Sequence, residues 1–125
     1  MTGRSVSPAE KVLVVGAGLA GLAVARALTD GGSHVEIIDK AHRWSDGMGM
    51  YLPGNAHRAL AFLGLADGVR AAGQHIRRQV FMDHTGRTLS SIDLDAVWGD
   101  VGPCLAIGRS ELHEVLRSKA PEVGS

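Results

Sequence analysis

Three glycines at the spacing G-x-G-x-x-G occupy the stretch Gly16-Ala17-Gly18-Leu19-Ala20-Gly21. The spacing alone is a weak signal, but its surroundings strengthen it. The apolar run KVLVV precedes it, a helix-forming segment follows it, and Asp39 closes a second apolar run, HVEII. Each residue type then has a physical task. Gly16 permits a tight turn out of a strand, Gly18 lets backbone approach a pyrophosphate, and Gly21 lets a helix lie close on the strand. The start of that helix offers unpaired N–H groups and the positive end of a dipole to phosphate. The Asp39 carboxylate suits ribose hydroxyls and disfavours a 2′-phosphate, which argues against NADP at this site. The chemistry implied is recognition of the ADP half of a dinucleotide. FAD and NAD share that half, and the fingerprint does not separate them.

These residues need a scaffold, and the flanking pattern predicts one. KVLVV reads as a buried parallel strand, with a helix from about Leu19 to Thr29 that Gly31-Gly32 ends. HVEIID reads as the second strand, which completes a βαβ unit. The polar, glycine-rich loop KAHRWSDGMGMYLPG follows. NAHRALAFLGL then predicts a helix with Ala56, Leu60 and Leu63 on one side, and ADGVRAAG predicts a helical turn. IRRQVFMDHTGRTLSSIDL predicts a β-hairpin that turns at Gly86. DAVWGDVGPCL reads as loop. SELHEVLRSKA predicts a last helix, N-capped by Ser110, with Leu112, Val115 and Leu116 as its apolar stripe.

Bulk properties remove other classes. The 125 residues carry 13 basic and 13 acidic side chains, so there is no basic footprint for nucleic acid or an anionic membrane. The apolar run around the glycines is too short for a membrane span. Cys104 is the single cysteine, which excludes an internal disulfide. The six histidines fall at no ligand spacing, so no metal site is expected and all six, including His57 and His113, are expected at the surface. A cytoplasmic location is expected. No side chain stands out as catalytic.

Three segments together resemble the FAD-dependent monooxygenases with the p-hydroxybenzoate hydroxylase fold. They are the fingerprint with IIDK behind it, GMGMYLPGNAHRALAFLGLADGV, and LAIGRSELHEVL. Their order and spacing span nearly the whole chain. The resemblance implies an α/β fold: a Rossmann-like βαβ FAD-binding unit with a partial substrate-domain β-hairpin. It implies FAD as cofactor, NADH or NADPH as transient electron donor, and hydroxylation of a small organic substrate, aromatic ones among them. It places Gly16, Gly18, Leu19, Ala20 and Gly21 on the pyrophosphate, Asp39 on the adenosine ribose, Lys40 beside the adenine and Arg43 towards the phosphates. Met48 and Gly49 would lie near the ribityl chain, and Arg109 would contact FAD from the start of the last helix. Trp44 and Trp98 would serve either to anchor loops or to pack near flavin.

On this reading residues 1–10 are a disordered lead, 11–120 an incomplete FAD-binding portion, 75–100 a hairpin excursion towards the substrate domain, and 121–125 a tail. The family's later D-G and G-D motifs are absent from these residues. The chain is therefore expected to resemble the N-terminal part of such an enzyme, with a C-terminal portion or second chain missing, and to be incomplete for turnover by itself. Two alternatives remain open: another FAD-dependent oxidoreductase of the same fold group, such as a reductase or halogenase, and an inactive truncated nucleotide-binding fragment.

Overall fold

The computed structural model describes residues 10–40 and 47–124. In chain order the elements are β1 (Lys11–Val15), α1 (Leu19–Asp30), β2 (His34–Ile38), β3 (Gly49–Leu52), α2 (Gly54–Phe62), α3 (Ala66–Ala72), β4 (Gln74–Ile76), β5 (Arg78–Met82), β6 (Thr88–Asp93), α4 (Leu94–Trp98), β7 (Cys104–Gly108), α5 (Arg109–Arg117) and β8 (Val123–Gly124). They fall into two compact units. One comprises Met1–Asp46 and Ser110–Ser125, the other Gly47–Arg109.

The first unit is the expected α/β core, except that β1, expected to be buried, has no buried residue. β1 and β2 pair in parallel, with Lys11 opposite His34 and Val15 opposite Ile38. Two parallel neighbours need a crossover, and α1 supplies it. Its buried face is Leu22 and Ala25, both fully inaccessible, and Val35 and Ile37 of β2 are buried in the same unit. The helix stops at Gly31, with Gly32 at a φ of 89° that favours glycine. A third strand corrects the expectation of a frayed tail. β8 pairs in parallel with β2, with Val123 opposite Ile37 and Gly124 opposite Ile38. The open edge of β2 provides the backbone partners, so two residues suffice to add a strand there.

The second unit centres on an antiparallel sheet in the order β3-β7-β4. Gly49 opposes Gly108 and Leu52 opposes Leu105 across β3 and β7. Leu52, Leu60, Leu65, Val69, Leu94, Cys104, Leu105 and Ile107 form the buried apolar set. The Tyr51 hydroxyl donates to the Cys104 sulfur at 3.2 Å. That bond, followed by burial, raises the Tyr51 pKa above its ordinary value. β5 and β6 form an antiparallel hairpin, with Arg78 opposite Asp93. Its turn is held by Asp83, whose Oδ1 accepts from the Thr85 and Arg87 amides, and by Gly86 at φ 86°.

Two local expectations change in this unit. DAVWGDVGPCL contains α4, capped by the Asp93 carboxylate, which accepts from the Ala96 amide at 3.1 Å. A helix of five residues is too short to show periodicity, and its cap residue was its only local mark. Trp98 lies against Gly54, where a Cβ would come within 3.1 Å of its ring. That contact makes Trp98 an anchor for the start of α2. Trp44, Arg43 and His42 lie outside the described residues.

Candidate dinucleotide-binding site

The three fingerprint glycines do three different things. Gly16 ends β1 at φ 104°, where a side chain would be strained, and its amide donates to the Ile38 carbonyl at 2.7 Å. Gly18 is the N-cap of α1, and a Cβ there would meet nothing within 4 Å, so its face is open to a ligand. A Cβ on Gly21 would collide with the Gly16 carbonyl oxygen, so any larger residue would push α1 off β1.

α1 begins with no side-chain cap and no acidic residue in its first turn. The Leu22 amide is the first to bond back within the helix, to the Gly18 carbonyl at 3.0 Å. The amides of Leu19, Ala20 and Gly21 precede it, and these positions have no intrahelical acceptor by geometry. They are the donors that an α1-bound phosphate would use.

Beside this loop lies a cavity of about 430 Å³, lined by Val15, Gly16, Ile38, Asp39 and Lys40. Val15 is 75% exposed and Ile38 37%, so its walls are apolar surface at the ends of β1 and β2. Asp39 enters a tighter arrangement than the sequence suggested. Its Oδ2 accepts from the Ala17 amide at 2.6 Å. Its own amide donates to the Gly124 carbonyl at 3.1 Å, which ties it to β8. Asp39 also forms part of the cavity wall, where a ribose hydroxyl would reach it.

Of the other residues expected at the site, Lys40 lines the cavity. Arg43 lies outside the described residues. Met48, Gly49 and Arg109 belong to the second unit. There Met48 is 88% exposed and Gly49 pairs with Gly108. Arg109 is exposed, with its side-chain carbons beside Gly47.

Two histidines overturn the expectation that all are at the surface. His113 is 6% exposed, and its Nε2 lies 2.7 Å from the Ala17 carbonyl oxygen. His57 is 4% exposed, and its Nε2 accepts from Arg70 Nε at 3.2 Å. Burial, followed by the Arg70 charge, lowers the His57 pKa. A polar ring is tolerated inside once its nitrogens are bonded, which is what these partners provide. The signal for His113 was present: it sits between Leu112 and Leu116 on the stripe that α5 buries. Ser110 is not the cap of that helix. It lies within α5, and its hydroxyl donates to Glu111 Oε2 at 3.2 Å.

The FAD binding domain family matches residues 9–125. The chain belongs to that family. FAD is the cofactor of this domain, and the loop, the bare start of α1 and the apolar cavity fit the adenosine and pyrophosphate parts of it. Two curated relatives match nearly all of the FAD binding domain described here. One is the 3-hydroxybenzoate 6-hydroxylase 1 of Aquipseudomonas alcaligenes, 29% identical over 117 residues, covering 90% of this chain and 30% of the relative. The other is the 3-amino-4-hydroxybenzoate 2-monooxygenase of Streptomyces cremeus, 35% identical over 117 residues, covering 89% of this chain and 29% of the relative. Among solved structures, the tetrameric form of 2-methyl-3-hydroxypyridine-5-carboxylic acid oxygenase superposes with a TM-score of 0.80 at 26% identity. It matches 94% of this domain, which spans 32% of that protein. The chain thus spans about 30% of the length of these relatives. Among the described residues, no helix is long and apolar enough to cross a membrane, and no cluster of three or more His, Cys, Asp or Glu side chains could hold a metal ion.

Proposed function

We propose that the chain binds FAD as the cofactor-holding part of a flavin-dependent monooxygenase, which hydroxylates a small aromatic substrate with NAD(P)H and O₂. The observation that carries the nucleotide part is the division of labour among Gly16, Gly18 and Gly21, with Asp39 beside them. Support for the hydroxylase part comes from the two relatives, whose names both specify oxygen insertion into a benzoate ring. The bound flavin supplies the redox chemistry. The protein's residues hold it.

In this reading the amides of Leu19, Ala20 and Gly21 donate to the pyrophosphate, and Gly18 lets those oxygens approach closely. Asp39 accepts from the ribose at the cavity wall, and Lys40 flanks the adenine at the rim of the cavity. Met48 and Gly49 serve the ribityl chain. Arg109 serves phosphate or ribityl oxygens, for which a forked, permanently charged donor is suited. Arg43 serves the phosphates. The hairpin of β5 and β6 is the part that extends towards a substrate domain. NAD(P)H is produced in the cytoplasm, and the reading places the protein there.

Titration of FAD with the 125-residue chain, followed by flavin fluorescence anisotropy, tests the assignment. Because the chain is an incomplete FAD-binding portion, the expected result is weak but saturable binding that ADP displaces and riboflavin does not. Displacement by riboflavin but not by ADP would overturn it.

A further inference from the structure

The fingerprint loop is held by hydrogen bonds on successive groups. The Gly16 amide is bound by the Ile38 carbonyl at 2.7 Å, and the Ala17 amide by Asp39 Oδ2 at 2.6 Å. The Ala17 carbonyl is bound by His113 Nε2 at 2.7 Å. The first two partners come from the last residue of β2 and the residue after it, inside the βαβ unit. The third comes from α5, 96 residues along the chain. Ala17 is fully inaccessible and His113 is 6% exposed, so this last bond is shielded from water. A carbonyl oxygen only accepts, so Nε2 carries the proton.

We infer that His113 is a positioning residue for the phosphate loop: by donating Nε2–H to the Ala17 carbonyl it fixes the peptide that leads into Gly18 and aims the first amides of α1 at the pyrophosphate. The geometry supports this over simple core filling. Leucines already occupy the neighbouring buried positions of α5, Leu112 and Leu116, and a third apolar residue would satisfy packing alone. Instead a donor stands opposite a buried acceptor in the loop whose flexibility matters most to anion binding. With Asp39 on its amide and His113 on its carbonyl, residue 17 is gripped from both sides. Neither grip needs its methyl group, so the device acts on backbone alone. The inference rests on the proposed nucleotide site and adds to it a residue that would not touch the nucleotide.

The test compares His113→Gln, which keeps a side-chain N–H donor of similar reach, with His113→Leu, which keeps bulk and removes the donor. Affinity for ADP and for FAD is measured by calorimetry on the full chain, and hydrogen exchange of the amides of residues 17–20 is measured without ligand. The leucine variant is expected to lose about tenfold in affinity for both ligands. The glutamine variant is expected to stay within about threefold of the parent. Exchange of the loop amides should quicken in the leucine variant alone, while β2 amides stay protected. Should His113→Leu not fold, His113→Asn replaces it, because its amide is one methylene too short to reach. Unchanged loop exchange in a folded leucine or asparagine variant would overturn the inference, as would equal loss of affinity in the glutamine and leucine variants. A parent chain that binds neither ADP nor FAD would instead count against the nucleotide site, and the ligand-free exchange would still decide the role of His113.

Discussion

Gly21 faces the carbonyl oxygen of Gly16 with no room for a Cβ between them. That contact fixes the distance of α1 from β1, and through it the place where the helix presents its first amides. Gly21→Ala should therefore cost about 3 kcal/mol of stability, because the obstacle is backbone and has no rotamer to relieve it. Thermal unfolding should show a fall of about 10 °C or more. A variant as stable as the parent would mean that α1 can shift without cost.

In the proposed site Asp39 links the loop to the nucleotide. Asp39→Ala removes the acceptor for the Ala17 amide and the acceptor for ribose together. FAD and ADP affinity should fall about tenfold or more. Asp39→Asn keeps one acceptor oxygen and should lose less. Calorimetry with ADP separates the two variants, and equal affinity in all three proteins would remove Asp39 from the site.

His57 gives the second unit a pH dependence of definite sign. Its pKa in the fold is lowered from the ordinary 6.5, so the unfolded chain binds the proton more readily. Its contribution to stability is present above pH 6.5 and is lost as the pH falls below that value towards the folded-state pKa. Protonation also removes the Nε2 lone pair that accepts from Arg70. Urea midpoints between about pH 7.5 and pH 5.5 should fall more steeply for the parent than for His57→Gln. Parallel slopes would show that His57 does not carry the effect.

Gly54 starts α2 against the Gly102 carbonyl and the Trp98 ring. A Cβ there would lie 2.5 Å from the former and 3.1 Å from the latter. Gly54→Ala should destabilise the chain by about 2 kcal/mol and alter the near-ultraviolet circular dichroism of Trp98. A Trp44→Phe background isolates that signal. An unchanged tryptophan spectrum would argue against the contact.

What the sequence disclosed and what it hid follow from how each feature is specified. Gly16, Gly18 and Gly21 could be read because their roles are steric and local, and β1, α1 and β2 because their apolar periods are long enough to see. The hairpin turn was visible in the Asp83–Gly86 chemistry. β8 was hidden because Val123–Gly124 has no period at all, and only the edge of β2 makes it a strand. The burial of His57 and His113 was hidden for a related reason. Each ring is acceptable inside only because of a partner elsewhere in the chain, Arg70 in one case and the Ala17 carbonyl in the other. The stripe of α5 already pointed inward at position 113, but polarity alone argued the opposite.

The antiparallel pairing of β3 with β7 also bears on the order of folding. Gly49 meets Gly108, so the chain leaves the second unit beside the place where it entered it. The bond between Ala17 and His113 spans 96 residues, and closing so long a loop in an open coil costs conformational entropy. Once β3 and β7 have zipped, the intervening chain acts as a short circuit, and the remaining search is that of a much smaller ring. On that route the bond between His113 and the Ala17 carbonyl forms after β3 and β7 have paired. Substitutions that weaken β7 should slow its appearance even though β7 lies outside the glycine loop.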